Sequence, residues 1–196
     1  MKKVGLLGGT FNPPHIGHLI MANEVFHALD LDEVRFMPNA NPPHKQTAGD
    51  ATNEQRAKMV ELAIAEASHF KLELFELKRG GVSYTFETMQ AMCDNEPQTD
   101  FYFIIGGDMI DSLHTWHQID ELIELVHFVG VNRPGTKAET SYDVQMVEAP
   151  VIDLSSTFIR KRIQTGYTLD YLLPQAVEAY IRKEGLYGAT NATQRD

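Results

Sequence analysis

Apolar positions along this chain alternate between two spacings. Val4–Leu7 is a short apolar run closed by Gly8-Gly9, the pattern of a strand buried on both faces. Ile16–Leu29 then sets Leu19, Ile20, Ala22, Val25, Phe26 and Leu29 on one side at helical spacing. Glu33–Met37 predicts a second strand, stopped by Pro38. Residues 39–53, NANPPHKQTAGDATN, carry no period and are rich in Pro, Asn and Gly; loops this long in compact domains are usually functional or disordered. Glu54–Ala67 predicts a helix capped by Asn53 or Thr52, Lys71–Phe75 alternates as a strand, and Thr85–Met92 is helical. Phe101–Ile105 (FYFII) is the strongest strand signal and again ends in Gly-Gly. Beyond it, Leu113–Leu125 predicts one or two helices and Val126–Val131 a strand. Val144–Val147 and Val151–Leu154 predict short strands. Thr157–Thr165 predicts a helix capped by Ser155 or Ser156, and Pro174–Lys183 a last one with proline in its first turn and Gly185 as its stop.

Strands alternating with helices imply an α/β fold, a Rossmann-like doubly wound parallel sheet covered on both faces. A small C-terminal helical part follows at about 155–188, within one domain of residues 1–188, and 189–196 reads as a disordered tail. In such sheets ligands bind beyond the carboxyl ends of the strands, where strand order reverses. Gly8-Gly9-Thr10 and Gly106-Gly107-Asp108 are therefore the places to look for chemistry.

Composition narrows the classes. The chain has 196 residues, 43% hydrophobic and 22% charged, enough to bury a core without disulfides or structural metal. The only cysteine, Cys93, fits a reducing, cytoplasmic compartment and reads as a small buried hydrophobe, since no adjacent base is apparent. A net charge of −10 disfavours a nucleic-acid partner, while a small phosphorylated ligand needs only a few local donors. No apolar stretch approaches the ~20 residues that span a bilayer, so no membrane partner is expected. The start MKKVGLLGG is too short and too soon broken for a signal peptide.

Two segments carry chemistry. In GGTFNPPHIGH, residues 8–18, the glycines let backbone approach a ligand, Thr10 offers a hydroxyl, and His15 and His18 share a face at a helix N-terminus. Free N–H groups and the helix dipole favour an anion there, and two imidazoles suit a polyphosphate. A cap and a packed ring are the plain alternative; zinc is a weaker one, because no further ligand pattern completes a site, and no metal-binding residue is assigned. In DLSSTFIRKRI, residues 153–163, the hydroxyls of Ser155, Ser156 and Thr157 crowd a helix start, with Arg160 one turn in to grip phosphate oxygens. A plain cap followed by a basic solvated face is the alternative, and Lys161 and Arg162 read as such a face.

Together these segments resemble the nucleotidyltransferases of the H-x-G-H type, with His15-Ile16-Gly17-His18 as the signature and S-S-T-x-I-R as its C-terminal companion. The spread of matches, to about Gly188, is most similar to the bacterial nicotinate-mononucleotide adenylyltransferase family. The resemblance implies ATP and nicotinate mononucleotide as substrates, Mg2+ accompanying ATP, and room for a homodimer. His15, His18 and Arg160 would be catalytic. Gly8, Gly9, Thr10, Phe11, Gly106, Asp108, Arg133, Ser156, Thr157 and Phe158 would line the ATP side. Asn39, Lys45, Thr85, Trp116 and His117 would line the acceptor side. Trp116, the only tryptophan, lies in a polar stretch after a strand end, where a flat indole can stack on a pyridinium ring; an ordinary partly buried aromatic is the alternative. Asp108 reads either as a helix N-cap or as a ribose ligand. His44 and His114 flank the site, and His27, His69 and His127 read as structural.

The implied reaction is in-line attack of a mononucleotide phosphate oxygen on the α-phosphorus of ATP, releasing pyrophosphate. That nucleophile is already ionised at neutral pH, so positioning and charge neutralisation suffice. Nicotinamide mononucleotide or phosphopantetheine as acceptor, and a non-catalytic nucleotide sensor, stand as alternatives. A dinucleotide-binding dehydrogenase is disfavoured, since G-x-G-x-x-G is missing after the first strand.

Overall fold

The structure, a computed structural model, describes residues 1–40, 51–81, 84–132, 140–150 and 152–190; at Asp108 and Asn132 it describes the backbone alone. Most of the loop expected at 39–53, Val151 of the expected strand Val151–Leu154, and the tail beyond residue 190 lie outside these.

Six strands form one parallel sheet: β1 (Lys2–Gly9), β2 (Glu33–Pro38), β3 (Phe70–Leu72), β4 (Thr99–Gly106), β5 (His127–Asn132) and β6 (Val144–Glu148), in the order β3-β2-β1-β4-β5-β6. The chain builds outward from β1, then returns to place β4 on its other side, so the order reverses between β1 and β4. The ladders run Val4↔Glu33 to Gly9↔Pro38 on one side of β1 and Lys2↔Thr99 to Leu7↔Ile104 on the other.

Alternating side chains of the central strands feed two cores. Val4, Leu6, Phe101, Phe103 and Ile105 pack with Met89 and Met92 of α4 (Thr85–Asn95) and Leu122 of α6 (Ile119–Leu125). On the opposite face Leu7 and Ile104 pack with Ala22 and Val25 of α1 (Ile16–Ala28) and Val60 of α2 (Asn53–Ile64). A third cluster joins Met59 of α2 to Ile159 and Ile163 of α7 (Ser156–Gln164), Val177 and Ile181 of α8 (Gln175–Glu184), and Tyr187 in a final 3-10 turn. The C-terminal helical part is thereby seated on α2.

Three local expectations change. β3 stops at Leu72, and Phe75 opens a helix, α3 (Phe75–Arg79), in place of ending a strand. The Glu73 carboxylate accepts the Phe75 N–H at 3.0 Å, a side chain competing successfully for a backbone donor. Ile152–Leu154 is not strand: β6 pairs with β5 alone and no ladder continues past it among the described residues. At β4's end Gly106 caps the short α5 (Gly107–Ile110), so Asp108 lies inside the helix and is not its N-cap.

Candidate active site

The first segment is arranged around Phe11 and two histidines. After β1 the chain turns at Phe11, which holds φ 49°, and buries its ring edge-on to His18 with centroids 5.1 Å apart. A Cβ on Gly9 would stand 3.0–3.3 Å from that ring, so glycine there permits the turn. His15 is the N-cap of α1, and its backbone N–H donates to His18 Nδ1 at 3.1 Å. An accepting Nδ1 places the His18 proton on Nε2. The two imidazoles stack at 3.7 Å, 24° from parallel. The ring of His15 also lies over Gly17, where a Cβ would meet Nδ1 at 3.1 Å. The H-x-G-H spacing thus has a steric basis: one turn separates the rings and glycine clears the space between.

Burial disfavours the charged form of both rings. It lowers the His15 pKa to about 4. Burial and then the neighbouring His15 charge lower His18 to about 3. At neutral pH both are neutral imidazoles that donate hydrogen bonds. The Nδ1 of His15 is buried and meets no partner among the described residues.

The second segment locks onto the first. Ser155 is the N-cap of α7, its hydroxyl accepting the Phe158 N–H at 3.2 Å. Ser156 is thereby free for another task, and its Oγ donates to the Pro13 carbonyl at 2.8 Å. Arg160 donates to the Asn12 carbonyl at 2.8 Å and to Thr157 Oγ1 at 3.2 Å. From the C-terminal turn, Tyr187 donates its hydroxyl to Asn12 Oδ1 at 2.6 Å. Residues more than 140 positions apart meet here. Phe158 is half-exposed, with the Arg162 guanidinium 5.6 Å from its ring centroid. Arg162 also lies over Tyr167, so it is engaged with aromatic rings rather than purely solvated.

On the other side of β1, Asn39 follows β2. Its N–H donates to the Gly9 carbonyl at 3.0 Å, and its side-chain Oδ1 is buried without a partner among the described residues. Thr85 opens α4, and the preceding Tyr84 lays its ring 4.6 Å from His117. Thr88 Oγ1 donates to Glu76 Oε1 at 3.2 Å, a buried link that steadies α4 against α3. Trp116 is partly buried, edge-on to Phe103 of β4 and Phe128 of β5, each at 6.0 Å. Lys45, His44 and Arg133 fall outside the described residues, as does the side chain of Asp108. Among the described residues no group of three or more His, Cys, Asp or Glu is placed to hold a metal ion.

Sequence reading missed four residues here: Asn12, Arg56, Tyr84 and Tyr187. Arg56 carried a signal. It occupies the apolar register of α2 with Met59 and Val60 and is buried with them, yet it is an arginine. Tyr187 carried no signal, because its partner is 175 residues away.

Known proteins fix the family of the chain and share its fold. The cytidylyltransferase-like family model matches residues 6–162, which take in both the histidine pair and Arg160. A Lactiplantibacillus plantarum protein named "Probable nicotinate-nucleotide adenylyltransferase" is 54% identical over 186 residues, 95% of this chain and 88% of that relative. A Geobacillus kaustophilus protein of the same name is 52% identical over 100% of this chain and 91% of its own length. Two solved structures of Plasmodium falciparum nicotinic acid mononucleotide adenylyltransferase, complexed with APC and with NaAD, share the fold. Their TM-scores are 0.80 and 0.82 at 18% and 19% identity, each covering 97% of this chain and 100% of the other. With near-full-length identity above half to those relatives and the signature histidines stacked at the sheet's switch point, the chain belongs to the nicotinate-nucleotide adenylyltransferases of the cytidylyltransferase-like family.

Proposed function

We propose that the chain transfers the adenylyl group of ATP to nicotinate mononucleotide, giving deamido-NAD and pyrophosphate in NAD biosynthesis. One observation carries the reading at atomic scale. The Ser156–Arg160 segment is bonded onto the Asn12-Pro13 loop that leads directly into the stacked His15–His18 pair, at the reversal between β1 and β4. The donor set there is imidazole, guanidinium, hydroxyl and backbone amide, which suits phosphate oxygens.

In this reading a phosphate oxygen of the mononucleotide attacks the α-phosphorus, and the bond to the pyrophosphate oxygen breaks. His18 offers Nε2–H, its Nδ1 being occupied, and His15 offers its own ring donor. Both hydrogen-bond the developing negative charge from a dry environment, where such bonds are strongest. Arg160 keeps N–H donors beyond its two protein bonds for the leaving phosphates. Gly8, Gly9, Thr10 and Phe11 shape the ATP side with Gly106, Asp108, Arg133, Ser156, Thr157 and Phe158. Asn39, Lys45, Thr85, Trp116 and His117 serve the acceptor. Tyr84, its ring tilted against His117, joins them. Mg2+ would accompany ATP through the phosphates themselves rather than through a dedicated protein site, and would supply positive charge to offset theirs. A single cysteine fits a cytoplasmic enzyme, and no described helix is long and apolar enough to cross a membrane. A homodimer belongs to the same reading and is tested by sedimentation.

The test is pyrophosphate release by purified protein with ATP, Mg2+ and one acceptor at a time. Strong release with nicotinate mononucleotide is the expected result. Release only with the nicotinamide form overturns the acceptor, and release only with phosphopantetheine overturns the pathway. Silence with all three points to a nucleotide sensor.

A further inference from the structure

Arg56 is 3% exposed. Its guanidinium does not reach for the solvent but forks across the ends of two strands. One terminal nitrogen donates to the Thr10 carbonyl at 2.6 Å. The other donates to the Asn39 carbonyl at 2.5 Å and to Asn53 Oδ1 at 2.7 Å. The β1–β2 ladder ends at Gly9↔Pro38, so Thr10 and Asn39 are the first residues that its repeat does not hold. Beyond one further bond, Asn39 N–H to the Gly9 carbonyl, the guanidinium is what spans them among the described residues. Burying a cation costs several kcal/mol unless its donors are used, and here they are used on main-chain carbonyls at the place where the ligands bind.

What lies on either side gives this clamp a purpose. Thr10 leads directly into Phe11, whose ring abuts His18. Asn39 carries a buried Oδ1 that has no partner among the described residues. One side belongs to the ATP loop and the other to the acceptor. A planar fork sets two carbonyls at a fixed separation, which a lysine ammonium cannot do.

We propose that Arg56 is a positioning residue of the transfer reaction, tying the ATP loop at Thr10 to the acceptor side at Asn39 and so fixing the distance between the two reactants. The proposal rests on the function inferred above. An error of about 1 Å in such a distance costs up to about a hundredfold in rate. The three bonds of the fork run to Thr10, Asn39 and Asn53, while the phosphate donors proposed above are His15, His18 and Arg160, so ATP binding itself is expected to survive the loss of the fork.

The experiment compares wild type, Arg56→Lys and Asn53→Ala for thermal unfolding and for steady-state pyrophosphate release with ATP and nicotinate mononucleotide. Arg56→Lys is expected to lower kcat about tenfold or more and to raise the KM of the mononucleotide, with the KM of ATP within about threefold. Asn53→Ala removes one bond of the fork and is expected to shift the same two constants in the same direction by less, at an unfolding temperature near that of wild type. A folded Arg56→Lys with kcat and both KM values within about twofold of wild type overturns the proposal. So does an equal loss in both KM values with kcat unchanged. If Arg56→Lys does not fold, Asn53→Ala decides on the same terms. A silent wild type overturns the proposed function first, and the role of Arg56 with it; an active wild type with unaffected variants overturns Arg56 alone.

Discussion

Gly17 sits where any side chain would enter the His15 ring. A Cβ there would stand 3.1 Å from Nδ1 and 3.2 Å from Cε1, tighter than ordinary contact, and His15 in turn is stacked on His18. Gly17→Ala must therefore displace His15, while His18 keeps its own place against Phe11. His18→Ala deletes the ring that supplies Nε2–H and is expected to lower turnover at least about a hundredfold, the usual loss of a charge-stabilising donor. Gly17→Ala is expected to lower turnover by less, about tenfold, because it moves a donor without removing it. Steady-state rates for both, beside thermal unfolding, check the order. A near-normal His18→Ala would end the role assigned to that ring. The two histidines were legible in the sequence because their spacing is local, one helical turn. Their tautomer was not, since it follows from which nitrogen the His15 N–H meets in space.

Between elements, what the sequence showed and what it concealed divides by sequence separation. The strands Val4–Leu7 and Phe101–Ile105 and the helices α1 and α2 were legible because both faces of the sheet are buried and the period does the marking. β3 and α3 were misjudged because the Glu73 side chain, not the pattern, decides where the strand ends. The seating of the C-terminal part was not legible at all. It depends on Tyr187, Ser156 and Arg160 finding Asn12 and Pro13 across more than 140 residues. Tyr187 is 5% exposed, adopts φ 59°, and is fixed against Met59 of α2 as well as Asn12. Tyr187→Phe keeps the ring and removes its hydroxyl, and with it the buried 2.6 Å bond to Asn12 and the weak 3.9 Å contact with Met59 Sδ. A loss of about 1–3 kcal/mol is expected, the cost of breaking a buried hydrogen bond on one side. Urea unfolding measures it, and an unchanged midpoint would show that apolar packing alone seats this turn on the loop.

Across the whole molecule, acid acts in two overlapping windows, the upper one set by histidines. His15 and His18 have folded pKa values of about 4 and about 3, below the value of about 6.5 for an unfolded chain. The unfolded state therefore binds protons first as pH falls. The stability these rings contribute is intact above pH about 6.5 and is lost progressively toward their folded values. His69, lowered by burial and by His27, adds to the same window. The carboxylates behave differently. Arg35 on β2 grips Glu96 through two nitrogens at 2.6 and 2.9 Å and Glu33 at 2.7 Å. The Arg35 bonds lower the Glu96 pKa. For Glu33, burial works upward but is outweighed by the bonds from Lys2 and Arg35. Their contribution persists until the pH drops below the ordinary carboxylate range. The double variant His15→Gln, His18→Gln is therefore expected to lose less stability than wild type from pH 6.5 down to about 4, by up to about 1.4 kcal/mol per pH unit for each ring, with the His18 share continuing to about 3. The two slopes converge only below about pH 3, once both rings are protonated in the folded protein as well, while Glu33 and Glu96 titrate alike in both. Urea midpoints at half-unit steps of pH measure this. Parallel curves through the upper window would mean that the histidines are as solvated as in the unfolded chain, which would also remove the dry setting on which their hydrogen bonds to phosphate depend.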